Sequence, residues 1–150
     1  MQFELTTRGG FKVEHCFDCA VPGYVIVSPV QPAASLSDLS VDVLAQLGPV
    51  LSVVNRAIQT VVAPLRIYCA LFAEQRVEVH FHVFPRTAEV TREFLRVHPE
   101  QRDSIHGPAL LDWARTYYRS SAPEVWQRVS PVVALLQTAL CAQQPVAPNG

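Results

Sequence analysis

Residues 77 to 86 read Val-Glu-Val-His-Phe-His-Val-Phe-Pro-Arg, and no other segment constrains the structure of this chain as strongly. Apolar and ionisable residues alternate along it, as in a β-strand whose successive side chains point to opposite faces. The sequence therefore predicts a strand over 77–84, with Glu78, His80 and His82 on one face and their apolar neighbours in a core. Two imidazoles and a carboxylate on one rigid element indicate a functional site.

The composition is that of a globular domain. The chain has 150 residues, of which 49% are hydrophobic and 17% charged, with a net charge of −1. This length predicts a single domain with a substantial core. A nearly neutral chain without a basic run argues against nucleic-acid binding. Because no signal-peptide pattern opens the chain and no apolar run reaches the ~18 residues of a membrane span, we expect a cytoplasmic protein without membrane association.

The first half of the chain predicts strands around one long helix. Ser40 is a suitable N-cap, and an apolar stripe follows it over several turns. Pro49 lies inside that stripe and should kink the helix without ending it, because the stripe continues in phase on both sides. Strands are predicted on either side of the helix, over residues 2–5, 11–14, 24–28 and 65–72.

The second half predicts one more strand and then helices. Only a short connection, at 74–76, separates strand 65–72 from strand 77–84, so the two should form an antiparallel hairpin. This order predicts an α+β fold, an antiparallel sheet with one long kinked helix and additional C-terminal helices. We expect one domain over 1–142 and a disordered tail over 143–150. The later helices are predicted over 88–97, from Pro108 and from Pro123.

The His-x-His pair admits three chemical interpretations besides that of polar residues on a solvated sheet face. A metal site of the double-sheet barrel type fits poorly with the helix-rich second half. A metallohydrolase pair lacks the Asp-His that should follow. The third interpretation is nucleophilic catalysis at phosphorus, in which one imidazole attacks while the other protonates or positions the leaving oxygen.

The segment 74–86 resembles the signature of the histidine triad (HIT) superfamily, in which three histidines alternate with apolar residues and Pro-Arg often follows. The resemblance extends upstream through 22–29 and through the Ser-Asp-Leu of 37–39. It implies a HIT-like domain, identified as a divergent bacterial-type member, with its core at about 14–87 and a C-terminal helical extension at 88–142.

The resemblance also implies roles for individual residues. His80 matches the histidine that attacks the α-phosphorus of a nucleotide and carries the nucleotidyl group, and His82 matches the one that contacts the scissile oxygen. The implied activity is hydrolysis or transfer of nucleotidyl groups from dinucleoside polyphosphates or nucleoside phosphoramidates, by a homodimer, with no cofactor required for the chemistry. The positions assigned to substrate binding are Glu74, Gln75, Glu78 and Arg86.

The sequence departs from the family pattern in a correlated way. Glu78 replaces the first triad histidine, and Pro32 falls where the family has a loop histidine. In zinc-containing branches those two histidines bind the metal together with a Cys-x-x-Cys, which here is Cys16 and Cys19. Without the histidine partners we expect reduced thiols, with zinc possible but doubtful. Two other cysteines lie in apolar segments and are expected to be buried, Cys69 and Cys141.

These departures leave two alternatives to an active nucleotide hydrolase. One is a catalytically weakened, HIT-like nucleotide-binding protein that has lost the chemistry along with the first histidine. The other is a metal or redox module that uses Cys16 and Cys19.

Overall fold

The computed structural model describes residues 2–143, so the predicted disordered tail, apart from Gln143, lies outside the described residues. The described residues include two short 3₁₀ helices, Leu36–Asp38 and Pro99–Gln101. The strands are β1 Glu4–Arg8, β2 Phe11–His15, β3 Val25–Pro29, β4 Arg66–Ala70 and β5 Phe81–Arg86. The α-helices are α1 Val41–Val62, α2 Ala88–Val97, α3 Gly107–Tyr117 and α4 Ala122–Ala142.

The strands form one antiparallel sheet in the order β1-β2-β3-β5-β4. The predicted α+β fold is confirmed, and so are the first hairpin and the antiparallel pairing of β4 with β5. This order places β5 in the interior of the sheet and β4 at its edge. The interior position supports His82 on both sides, through its pairing with Ile26 of β3 and Ala70 of β4.

Helices cover both faces of the sheet, because alternate residues of the inner strands are apolar on both sides. Val25, Val27 and Val83 pack in a cluster with α1 and α4. Tyr24 and Phe84 pack in a second cluster with α2 and α3. α4 is therefore part of the main core, where it supplies Val125, Val129, Val133, Leu136 and Leu140.

The long helix α1 begins and continues as the sequence predicts. The Ser40 hydroxyl accepts a hydrogen bond from the Val43 N–H, and the helix runs on through Pro49. Within the described residues, α1 is the one helix long and apolar enough to cross a membrane, with a mean hydropathy of 1.3 over an 18-residue window that is 22% buried. A helix that also packs on a sheet is weak evidence for such a span, and the absence of membrane association stays a prediction.

The prediction for the His-x-His strand is wrong at its start. β5 begins at Phe81, not at residue 77, and residues 71–80 form a long connection from β4. The backbone of this connection makes other bonds, since the Val79 N–H donates to the Ala33 carbonyl at 2.7 Å. Strand alternation therefore does not place Glu78 beside the histidines.

The prediction that two of the cysteines are buried is also wrong. Cys69 and Cys141 are exposed, whereas Cys16 and Cys19 are buried, and all four are free thiols. Cys69 is exposed because β4 is an edge strand, a position that the apolar character of its segment did not reveal.

Candidate active site

A cavity of about 440 Å³ lies on the sheet face that carries α2 and α3. His80 and His82 line it, at the point where the connection from β4 enters β5. The neighbours of His82 in the sheet are Ile26 of β3 and Ala70 of β4. The remaining walls come from the β2–β3 connection, the connection after β4 and α3.

The backbone fixes a proton on one nitrogen of the His80 ring. Its Nδ1 lies 2.8 Å from the carbonyl oxygen of Glu78. A carbonyl only accepts, so Nδ1 carries the proton, and in the neutral ring Nε2 has the free electron pair. The residue is 9% exposed, at the wall of the cavity. In that neutral form, His80 presents the nitrogen electron pair that a nucleophile requires.

His82 is held by a second hydrogen bond, from Tyr24. The Tyr24 Oη lies 2.7 Å from Nδ1 of His82, and the two imidazole rings lie 4.9 Å apart, centroid to centroid. Burial, followed by the charge of Arg115 and by His80, lowers the pKa of His82 to about 4. His82 is therefore neutral at physiological pH.

The Tyr24 phenol selects the tautomer of that neutral ring. Burial raises the pKa of Tyr24 well above its ordinary value, so the phenol keeps its proton. Within residues 2–143, the one hydrogen-bond partner of Tyr24 Oη is Nδ1 of His82. The phenol consequently donates to Nδ1, and the ring proton of His82 is on Nε2. His80 presents an acceptor nitrogen and His82 a donor nitrogen.

A tight turn before β3 places the Tyr24 phenol beside His82. Gly23 has φ +85°, and a Cβ there would come within 2.6 Å of Val62 Cγ2, so the turn requires glycine. The Gly23 N–H donates to Nε2 of His15 at 3.0 Å. His15 is buried, and its burial lowers its pKa to about 4, which keeps Nε2 free to accept.

The four residues assigned to substrate binding do not all reach the cavity. Glu74 and Gln75 line it, from the connection after β4. Glu78 is half-exposed and pairs with Arg76 at 3.5 Å, outside the cavity wall. Arg86 lies at the far end of β5, where its Nη1 donates to Thr91 Oγ1 at 3.1 Å. The structure thus brings Glu74 and Gln75 to the two histidines and leaves Glu78 and Arg86 away from them.

Sequence reasoning missed several residues of the cavity, among them Tyr24, Phe72 and Arg115. Tyr24 precedes β3, and only the pairing of β3 with β5 shows that it meets His82. Phe72 is 51% exposed, with its ring centroid 6.0 Å from that of His82. Arg115 comes from α3, far along the chain. No local motif marks any of the three, because each reaches the site through the tertiary fold.

The residues near Cys16 and Cys19 do not fit a structural zinc site, which uses four ligands. Cys16 Sγ donates to the Asp18 carboxylate at 3.1 Å, and Cys19 Sγ faces the Ala114 carbonyl at 3.8 Å. Burial raises the pKa of both thiols, that of Cys19 to about 11. Both ring nitrogens of His15 are already engaged. Within residues 2–143, no three His, Cys, Asp or Glu side chains are grouped to hold a metal.

Comparison with known proteins identifies the fold. No family model matches the sequence, and no curated protein matches it. Solved structures do match, and the similarity extends over most of the chain. A histidine triad protein from Sinorhizobium meliloti has 15% identity, covers 91% of this chain and 88% of its own, and has a TM-score of 0.63.

Two other solved structures give the same result. A hypothetical histidine triad nucleotide-binding protein from Sulfolobus tokodaii has 12% identity, covers 92% of this chain and 83% of its own, and has a TM-score of 0.61. A zinc-bound histidine triad family protein from Mycobacterium smegmatis has 16% identity, covers 93% of this chain and 84% of its own, and has a TM-score of 0.59. At these identities the comparison establishes the fold, and it confirms the predicted resemblance.

Proposed function

We propose that this chain, which has the fold of histidine triad proteins, is a nucleotidyl hydrolase or transferase that forms a covalent nucleotidyl–His80 intermediate. The observation that carries the proposal is a pair of ring contacts in the cavity, His80 Nδ1 at 2.8 Å from the Glu78 carbonyl and His82 Nδ1 at 2.7 Å from the Tyr24 phenol. From these contacts follow an acceptor Nε2 on His80 and a donor Nε2–H on His82. Dinucleoside polyphosphates and nucleoside phosphoramidates are the substrates to test.

In the first step, Nε2 of His80 attacks the α-phosphorus. A P–N bond forms, the bond from phosphorus to the leaving group breaks, and the leaving group takes the electron pair. The His80 ring becomes cationic, and its Nδ1–H remains bonded to the Glu78 carbonyl, which stabilises the new charge. The Nε2–H of His82 donates a hydrogen bond to the leaving oxygen and stays on the ring.

In the second step, water attacks the same phosphorus. A P–O bond forms, the P–N bond breaks, and His80 recovers its electron pair and its neutral form. The proton from water passes to solvent, and a nucleoside monophosphate is released. Turnover of a diadenosine polyphosphate that disappears in His80→Ala tests this proposal, whereas nucleotide binding without turnover would favour a catalytically weakened protein.

Tyr24→Phe is expected to lower kcat about 10-fold while KM changes little. The substitution removes the hydroxyl that donates to Nδ1 of His82, so the ring no longer holds its proton on Nε2. Steady-state kinetics with a diadenosine polyphosphate measure the effect, and ¹⁵N NMR of the His82 ring reports the tautomer directly. The control is Tyr117→Phe, an exposed tyrosine of α3 outside the cavity. Equal losses in both variants, or an unchanged His82 tautomer, would refute a positioning role for Tyr24.

We also propose that the protein is a homodimer, formed through the free edge of β4 and the outer face of α1. Within residues 2–143, β4 has no strand partner on its outer side. Leu65 and Leu71, at the two ends of this strand, are exposed. The apolar window of α1 is 22% buried, although Val50, Val54, Ala57 and Ile58 lie in the core. An apolar edge strand beside an apolar helix face favours association with a second copy.

Cys69→Arg is expected to convert the dimer to a monomer, because it places a charge on the edge strand next to α1. The thiol of Cys69 is exposed and lies 3.5 Å from Asn55 Nδ2, at the junction of strand and helix. Sedimentation velocity gives the mass of each species. The matched control is Cys141→Arg, the other exposed cysteine, on α4, which should stay dimeric. A wild type that sediments with the mass of one chain would contradict the dimer.

A further inference from the structure

Arg115 is an arginine of the active-site cavity that has no anionic partner among residues 2–143. Two arginines line this cavity, and Arg76 pairs with Glu78 at 3.5 Å. Arg115 is half-buried on α3, and among residues 2–143 no carboxylate lies within 4.0 Å of its guanidinium nitrogens. No hydrogen-bond acceptor of the described chain engages its side chain either. A guanidinium in this state has its five donors available for an anion from outside the protein.

Arg115 lines the same cavity as His82. In the first turn of its helix, Pro108 lines the cavity, and Leu111 and Arg115, one turn apart, line it as well. The charge of Arg115 contributes to lowering the pKa of His82, after burial, so the two groups interact electrostatically. His82 is the residue that faces the leaving oxygen in the proposed reaction.

We propose that Arg115 binds the phosphate of the leaving group, so that the cavity favours nucleoside polyphosphates over nucleoside phosphoramidates. This inference rests on the proposed function for its kinetic consequence. The guanidinium fork matches two oxygens of a phosphate and forms charge-assisted hydrogen bonds with them.

The chemistry of the leaving group supports the same preference. When a phosphoanhydride breaks, the electron pair passes to a phosphate oxygen, which is stable as an anion, and Arg115 neutralises the added charge. When a phosphoramidate breaks, the amine must take a proton as it leaves. The neutral His82 ring has no proton to give without becoming an anion, and Arg115 has no charge to neutralise. The site is therefore suited to a phosphate leaving group.

Binding measurements test Arg115 without requiring turnover. Titration calorimetry with ADP and AMP compares the wild type with Arg115→Ala. We expect about a 10-fold loss of ADP affinity and less than about a 3-fold loss for AMP, because only ADP has the second phosphate. Arg119→Ala is the matched control, an exposed arginine four residues further along the chain, beyond the end of α3 and outside the cavity. Equal losses for ADP and AMP, unchanged ADP affinity in Arg115→Ala, or a wild type that binds ADP no tighter than AMP would overturn the inference.

Kinetics separate this inference from the proposed function. Arg115→Ala should lower kcat/KM for a diadenosine polyphosphate by about 10-fold or more and that for adenosine phosphoramidate by less than about 3-fold. If His80→Ala abolishes turnover but Arg115→Ala acts equally on both substrates, the proposed function stands and the role of Arg115 is wrong. If Arg115→Ala selectively weakens ADP binding but the wild type turns over neither substrate, the phosphate site stands and the proposed function fails.

Discussion

Replacing His80 with alanine is expected to lower kcat for a diadenosine polyphosphate by at least about 10⁴-fold. The substitution removes the nitrogen that attacks phosphorus, and within the cavity only His82 is another imidazole. His82 cannot substitute, because its Nδ1 accepts from Tyr24 and its Nε2 carries the ring proton. In the proposed reaction, the cavity then lacks the group that forms the intermediate.

Release of nucleoside monophosphate, followed by chromatography, measures this loss. The control is His98→Gln, since His98 lies outside the cavity and pairs with Glu100 at 3.2 Å. It should keep kcat within about 2-fold of the wild type, as substitutions away from the site usually have small effects. A His80→Ala variant that keeps a tenth of the wild-type kcat would contradict nucleophilic catalysis by His80.

The covalent intermediate provides a second, independent readout. Wild-type protein mixed with substrate and quenched in alkali, where a phosphoramidate survives, should show the added mass of one nucleoside monophosphate. Peptide mapping should place that mass on His80, and His80→Ala should show none. An adduct that persists in His80→Ala would move the nucleophile to another residue.

Acidification from pH 7 to pH 5 is expected to lower the free energy of unfolding by about 2 kcal/mol for each of two buried histidines. His15 and His82 are 1% and 5% exposed, and burial lowers the pKa of both from 6.5 to about 4. As the pH falls below 6.5, the unfolded chain binds protons that the folded chain does not. Stability is therefore highest above pH 6.5 and declines as the pH falls towards 4.

Urea denaturation at fixed protein concentration measures this dependence. His15→Gln should remove about half of it, because glutamine does not titrate and its side-chain carbonyl can still accept from the Gly23 N–H. His98→Gln, at a histidine outside the core, is the control substitution. NMR titration of the two ring resonances gives their pKa values even if His15→Gln folds poorly. Equal unfolding free energies at pH 7 and pH 5 in the wild type would show that neither histidine is buried neutral.

The sequence predicted the elements whose signals are local. The N-cap at Ser40 and the continuous stripe through Pro49 set the extent of α1, because capping and periodicity act within one helix. The start of β5 was mispredicted because residues 77–80 alternate like a strand while their backbone bonds to the loop at Ala33. Alternation is a necessary signal for a half-buried strand, and it does not show whether a partner strand is present.

The candidate site was predictable only in part. His80 and His82 are adjacent in sequence, so their proximity followed from the motif. Glu78 is also adjacent, yet its side chain lies outside the cavity because the chain there is not a strand. Tyr24 and Arg115 come from distant elements, and their contacts depend on strand register and helix packing.

The sequence by itself predicted two neighbouring histidines on one face of a segment in an α+β fold, because residue type and spacing are enough to define such a segment. Only the tertiary structure decided what each histidine can do. The Glu78 carbonyl sets the proton on Nδ1 of His80, and the Tyr24 phenol sets the opposite tautomer on His82. A tautomer depends on the atom opposite each ring nitrogen, and that atom is chosen by packing rather than by the order of residues.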